Sequence, residues 1–184
     1  MLGWIVTAVV IAVIVIWFIA GYNGFVTMRN RIEEAFATMD VYLKKRYDLI
    51  PNLVETVKGY ASHEQGTLEK VVAARNMAAS ATSVEEKLQG ETQLQTTLKS
   101  LFAVAEAYPD LKANSNFMDL QRQLQRLEDE IASARKYYNA VVKEFNTKTE
   151  LFPSNLIAGV FHFTREPMFE VEDQAQRDAV KVKF

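Results

Sequence analysis

The sequence predicts an all-α protein: an N-terminal transmembrane helix continuing into an antiparallel four-helix bundle, with an extended aromatic C-terminal tail. Three observations predict it. Leu2–Ala20 is an unbroken run of 19 apolar, glycine and threonine residues, and no charged side chain appears before Arg29. Between Phe25 and Phe145 apolar residues recur three and four apart, the period of one helix face. Glycine and proline number only 7 and 4 in 184 residues, so little interrupts long regular elements. The organisation that follows is an anchor over 1–22, a bundle over 23–149 and an extended arm over 150–184.

The anchor comes first. A helix rises about 1.5 Å per residue, so a run of this length matches the roughly 30 Å hydrocarbon core of a bilayer. Its backbone groups are satisfied within the helix, as lipid requires. Leu2, Trp4, Ile11, Trp17 and Ala20 mark the span, with Trp4 at one end and Trp17 and Tyr22 at the other, where aromatic rings favour the interface. A cleaved signal peptide is the first rival, but the start lacks Lys and Arg, the apolar run is long, and Ile19-Ala20-Gly21-Tyr22 is a poor cleavage signal. A buried core helix is the second, and it would need a soluble domain enclosing the whole run. Arg29 and Arg31 follow the span and would sit at the membrane surface, with Lys44, Lys45 and Arg46 beyond. Basic residues near a span favour the inner side, so the expected topology is single-pass with the C-terminal domain cytoplasmic.

The first bundle helix carries Phe25, Ile32, Phe36, Met39, Leu43, Tyr47, Ile50, Val54, Val57 and Ala61 on one stripe. Pro51 lies in that stripe, lacks an N–H and predicts a kink or short break near Leu49–Ile50, the kept phase favouring a kink. Ser62-His63-Glu64-Gln65 has capping-box form and predicts a second helix with Leu68, Val71, Val72, Arg75 and Ala79. Ser83-Val84-Glu85-Glu86 is a cleaner capping box, starting a third helix with Val84, Leu88, Glu91, Leu94, Leu98, Leu101, Ala105 and Tyr108, ended by Pro109. Asp110–Ser115 reads as a turn with Asn114 or Ser115 as the next N-cap. The fourth helix has a strict 3-4 rhythm from Phe117 through Leu124, Ile131, Tyr138 and Phe145, as in bundles and coiled coils. Leu151–Asn155 breaks it, and Leu156–Val160 makes one short turn or helix. Val180–Phe184 alternates apolar residues and Lys, as an edge strand or extended arm would.

Several motifs together resemble the LemA family. They are Tyr22-Asn23-Gly24-Phe25-Val26, Arg29-Asn30-Arg31-Ile32-Glu33-Glu34-Ala35-Phe36, Asp40-Val41-Tyr42-Leu43-Lys44-Lys45-Arg46-Tyr47-Asp48-Leu49-Ile50-Pro51-Asn52-Leu53-Val54, Lys58-Gly59-Tyr60-Ala61-Ser62-His63-Glu64, Ala74-Arg75-Asn76, Ala107-Tyr108-Pro109-Asp110-Leu111-Lys112-Ala113-Asn114, Tyr137-Tyr138-Asn139 and Phe152-Pro153-Ser154-Asn155-Leu156-Ile157-Ala158. Phe36 stands where many relatives carry Trp, a size change at a core position. The resemblance implies a bacterial single-pass membrane protein with a soluble antiparallel helical domain. It implies no catalytic activity, a place beside a membrane zinc metalloprotease of envelope stress, and similarity to a magnetosome membrane protein.

Composition and motifs narrow the chemistry. A net charge of −2 argues against a nucleic-acid binder. Zero cysteines exclude disulfides, thiolate metal sites and cysteine nucleophiles. His63 and His162 are far apart, and no zinc-protease, di-iron, phosphate-loop, dinucleotide or nucleophile-elbow motif occurs. The expectation is no catalytic residue, no metal and no cofactor. Arg29 and Glu33 are spaced as an i,i+4 pair, with a partner at the membrane surface as the sharper alternative. Lys44-Lys45-Arg46 reads as a solvated face, with acidic lipid or a neighbouring subunit as the alternative. Asp40, Tyr47, Asp48, Asn52 and Asn76 are expected to hydrogen-bond between helices, and Glu91, on an inner stripe, to find Arg or Lys or an open face.

Phe152, Phe161, Phe163, Phe169 and Phe184 fall in the last 35 residues. They pack on the chain's own bundle or on a partner, and an arm docking on a neighbour is a simple route to an oligomer. The functional expectation is therefore a membrane-anchored, self-assembling scaffold that recruits or regulates membrane proteins, with the lipid bilayer and further copies of the chain as partners. The alternative is a membrane-anchored sensory or ligand-binding bundle.

Overall fold

The computed structural model describes residues 1–169; the expectation for Val180–Phe184, and for Phe184 itself, lies outside them. The described residues form six α-helices and no strand. They are α1 (Leu2–Lys58), α2 (Gln65–Ser80), α3 (Val84–Glu106), α4 (Pro109–Lys112), α5 (Ser115–Glu150) and α6 (Ser154–Phe161). The all-α class and the long apolar N-terminal helix expected from the periodicity are both present.

α1 runs 57 residues without interruption, through Gly21, Gly24 and Pro51. Its apolar part is the one stretch among the described residues long and apolar enough to cross a membrane, with a mean hydropathy of 2.8 and none of it buried. A core helix would be enclosed, so the buried-helix alternative falls. No helix break occurs at Leu49–Ile50, so of the two expectations for Pro51 the short break is absent.

The chain divides into two units. The first combines Met1–Leu43 with Leu127–Met168. Here α1 and α5 run antiparallel, since Phe25 meets Phe145 while Phe36 meets Tyr138. The core is aromatic: Phe25 is fully buried, stacks on Phe163 at 4.9 Å and meets Phe145 edge-on at 5.8 Å. Phe36 is half-buried. After α6 the chain returns along α5, where α5 side chains hold its backbone. Asn146 donates from Nδ2 to the Glu166 carbonyl and accepts at Oδ1 from the Glu166 N–H, and Tyr138 donates to the Pro167 carbonyl. A buried amide with both ends matched satisfies itself and fixes the strand of chain beside it.

The second unit is Lys44–Arg126, with Phe169 fully buried. α2 and α3 pair antiparallel, joining Ala78 to Gly90 and Glu64 to Tyr108. A Cβ at Gly90 would lie 2.6 Å from the Ala78 Cα, so the two helices approach backbone to backbone there. That close approach turns the start of α3. Lys87, Gly90 and Glu91 are its first buried residues, while Val84 and Leu88 are only half-buried. On α2 the inner face is Leu68, Val71, Ala74 and Ala78, so the expected Val72 and Ala79 are exposed instead. A 3₁₀ turn at Ser62–Glu64 precedes α2.

The caps divide. Ser83 forms the full capping box, accepting from the Glu86 N–H at 3.1 Å while Glu86 accepts from the Ser83 N–H at 3.3 Å. Asn114 caps α5, accepting from the Phe117 N–H at 3.0 Å. The box expected at Ser62 does not form, because the 3₁₀ turn moves the start of α2 to Gln65, with no side-chain cap at Glu64. Within the expected turn Asp110–Ser115, residues 109–112 make the short helix α4, with Pro109 at its first position, where a missing N–H is harmless.

Candidate functional site

In the second unit the polar chemistry gathers around Glu91. It is 2 % exposed, and the Arg46 guanidinium, 1 % exposed, forms an ion pair with it. Tyr47, next to Arg46 on α1, donates its hydroxyl to the other carboxylate oxygen at 2.5 Å. The expectation that Glu91 needs a cation is met. The expectation that Lys44-Lys45-Arg46 forms one solvated face fails at its third member. Arg46 lies one position from Tyr47 and three from Leu43, on the edge of the buried stripe, and a buried carboxylate opposite draws it in. Lys44 and Lys45 remain exposed. Such a pair gains little net stability over apolar packing, but removing one partner is expensive, so it fixes the register of α1 against α3.

Pro51 explains a second contact. In an α-helix the Tyr47 carbonyl would accept from the N–H four residues on, and residue 51 has none. Arg75 of α2 supplies the missing donor, its Nε–H meeting the Tyr47 carbonyl at 3.1 Å. Its guanidinium also lies 3.9 Å from Asp48. The proline therefore interrupts a hydrogen bond without interrupting the helix. Tyr47 hydrogen-bonds to another helix as expected, whereas Asp48 makes an ion pair at 3.9 Å and Asn52 and Asn76 stay exposed, Asn76 accepting from neighbouring Arg75. Asp40 is half-buried, and His63 sits exposed in the 3₁₀ turn.

Beside this network, the end of α1 and the face of α2 enclose an open groove of about 590 Å³. Val54, Leu68 and Val72 give it apolar walls, and Glu55, Lys58 and Glu69 carry both signs of charge. No group of three or more potential metal-ligating side chains occurs among the described residues.

In the first unit Leu2, Trp4, Ile11, Trp17 and Ala20 are all exposed along α1. Arg29 lies 3.9 Å from Glu33, both exposed, and Arg31 is exposed. Surface pairs of this kind contribute at most about 1 kcal/mol. Phe161 touches Phe18 and Tyr22 of α1, Phe163 packs among Phe25, Phe145 and Tyr22, and Phe152 is exposed. Lys148 places its ammonium 5.0 Å from the centre of the Phe25 ring. Sequence reasoning anticipated a cation for Glu91 but missed that it is Arg46, and missed the Arg75 bond. The second had a signal, since a proline within a helical stripe orphans the carbonyl four residues earlier.

The model of the LemA family matches residues 35–184. Protein LemA of Metamycoplasma hominis is 25 % identical over 155 residues, covering 82 % of this chain and 69 % of that protein. Magnetosome protein MamQ 2 of Paramagnetospirillum magneticum is 25 % identical over 175 residues, covering 81 % of this chain and 64 % of that one. Magnetosome protein MamQ of Magnetospirillum gryphiswaldense is 24 % identical over 174 residues, again with 64 % of its length spanned. With its long exposed apolar helix, the chain is a membrane-associated protein.

Proposed function

The chain belongs to the LemA family, and on that premise we propose that it is a non-catalytic, membrane-anchored helical scaffold. It assembles with itself and recruits or regulates other membrane proteins, in envelope stress or membrane organisation. The observation that carries this reading is the continuity of α1: one unbroken helix supplies both the exposed apolar segment and residues of the buried core. An anchor built into the bundle's own backbone holds each copy at the bilayer, and several copies raise the local concentration of binding surfaces. The magnetosome relatives support the organisational setting by their names. The expected topology is single-pass in the inner membrane with the bundle cytoplasmic, because Arg29 and Arg31 follow the span. A membrane zinc metalloprotease is the partner that the family resemblance brings forward.

Mass photometry of the detergent-solubilised protein tests self-assembly, with multiples of the 20.9 kDa chain expected and a strictly monomeric profile overturning it. Crosslinking in cells, read by mass spectrometry, identifies the recruited proteins.

The groove beside Val54, Leu68 and Val72 favours a second reading, a ligand-binding or sensory bundle. The chain has no cysteine of its own, so Ser133→Cys labelling with an impermeant maleimide separates the two. Labelling in intact cells places the bundle outside the cytoplasm, which sinks the cytoplasmic scaffold and supports the sensory form.

A further inference from the structure

The short helix α6 has an exposed apolar surface at a telling place. Its Phe161 ring lies 5.6 Å from Phe18 and 4.6 Å from Tyr22. Ile157 seats against Gly21 so closely that a Cβ there would come within 2.1 Å of its Cδ1. Phe18 belongs to the apolar span and Tyr22 to its interfacial end, so α6 sits alongside the last turn of that span. From Leu151 to Phe161 the chain carries no charged side chain. Only Ile157 and Ala158 of α6 are buried, while Phe152, Leu156 and Val160 are 78 %, 54 % and 60 % exposed. Charged groups bracket the stretch: Lys148 and Glu150 before it and Arg165 after it, with Arg165 paired to Glu150.

We propose that α6 and the Leu151–Phe152 turn are a second membrane-contacting element, seated in the bilayer interface beside the transmembrane segment. The occupant of this face is lipid, because its apolar surface is continuous through Phe18 with the exposed surface of Leu2–Ala20. Eight residues of helix extend about 12 Å, too short to cross a bilayer but suited to lying within the headgroup boundary. The turn is compatible with that setting. The Asn155 and Leu156 N–H groups bond to the Leu151 and Pro153 carbonyls and the Phe163 N–H bonds to the Ala158 carbonyl, so both ends of α6 have internal partners. The absence of a side chain at Gly21 leaves room for the Ile157 Cδ1, which a Cβ there would push aside. The consequence is a two-point hold on the membrane that fixes the rotation of α1 about its axis as well as its depth.

This inference rests on Leu2–Ala20 spanning the bilayer, and the test reports that premise separately. Single cysteines at Val160, Ile11 and Ser133 of the full chain, which has none of its own, carry an environment-sensitive nitrobenzoxadiazole probe. The protein is reconstituted in phosphatidylcholine–phosphatidylglycerol vesicles. At Val160 the expected result is blue-shifted emission, lost to a nitroxide placed shallow on the lipid chain more than to a deep one, and little affected by iodide. Ile11 should respond most to the deep nitroxide and Ser133 to iodide alone. If Val160 behaves as Ser133 while Ile11 is quenched by lipid, the interfacial seat is wrong and the span survives. Shielding of Val160 from both lipid and iodide would mean a protein neighbour covers it, and overturns the proposal. If Ile11 also fails to meet lipid, the span and the seat fall together.

Discussion

The two units centre on different contacts. In Met1–Leu43 with Leu127–Met168 the centre is a cluster of rings around Phe25, Phe145 and Phe163. Aromatic pairs of this kind favour stacked or edge-on arrangements and add about 0.5–1.5 kcal/mol per pair beyond area burial. In Lys44–Arg126 the centre holds a buried ion pair, a buried tyrosine hydroxyl bond and a guanidinium on a helix carbonyl. These contacts are directional and expensive to break, and they admit one register. An aromatic core suits a unit that carries an apolar span, where lipid offers no competing water. A polar network suits a unit whose helices must be told which neighbour to face. The comparison teaches that periodicity alone brings helices together, whereas buried polar groups select among the ways they can meet.

The sharpest way to break the comparison is at Glu91. Glu91→Ala strands the Arg46 guanidinium and should destabilise the protein by about 3–5 kcal/mol, read as a lowered midpoint in chemical denaturation followed by circular dichroism. The double change Arg46→Met with Glu91→Leu should recover most of that loss, because paired apolar packing replaces a pair whose net contribution is small. A double variant as unstable as the single one would show that the pair itself stabilises the fold.

Next in size is Arg75→Met. It leaves the Tyr47 carbonyl without the donor that stands in for the missing Pro51 N–H, at about 1–3 kcal/mol. Restoring the helix bond with Pro51→Ala in the same chain should remove most of that penalty. Hydrogen exchange around residues 47–51 is the readout, and protection unchanged by Arg75→Met would refute the assignment.

In the aromatic unit, Phe25→Leu removes part of a fully buried ring and should cost about 1–2 kcal/mol through lost burial and the cavity left behind. A loss as large as that from Glu91→Ala would erase the distinction between the two cores.

The smallest effect is pH-dependent. Glu86 is exposed, and its carboxyl is held below the ordinary value of 4.5 by the Thr82 backbone N–H first, then the Ser83 N–H and the Thr82 hydroxyl. A lowered folded value means that the cap's contribution is complete above 4.5 and is lost as the pH falls through the folded pKa. Wild-type stability should therefore decline slightly more than that of Glu86→Gln on acidification below that point, and parallel titrations of the unfolding midpoint would check it.

Much of this protein was determined by its sequence alone. Leu2–Ala20 needed no partner to be read, because its length and lack of charge match a bilayer before any fold exists. The main buried stripe of α1 and the caps at Ser83 and Asn114 were legible for the same reason: period and capping are local properties of a helix. Where a choice depended on another part of the chain, tertiary structure decided. Arg46 looked like surface until Glu91 stood opposite, and Pro51 predicted a kink or short break with no sign of the Arg75 donor that meets the carbonyl it orphans. Gly90 turned the face of α3 through contact with Ala78, and Gly21 received Ile157 from a helix more than 130 residues later. The physical reason is common to all four. A helix fixes which side chains share a face, but the burial of a charge, the fate of an unpaired carbonyl and the value of an absent side chain are set by the surface that arrives from elsewhere.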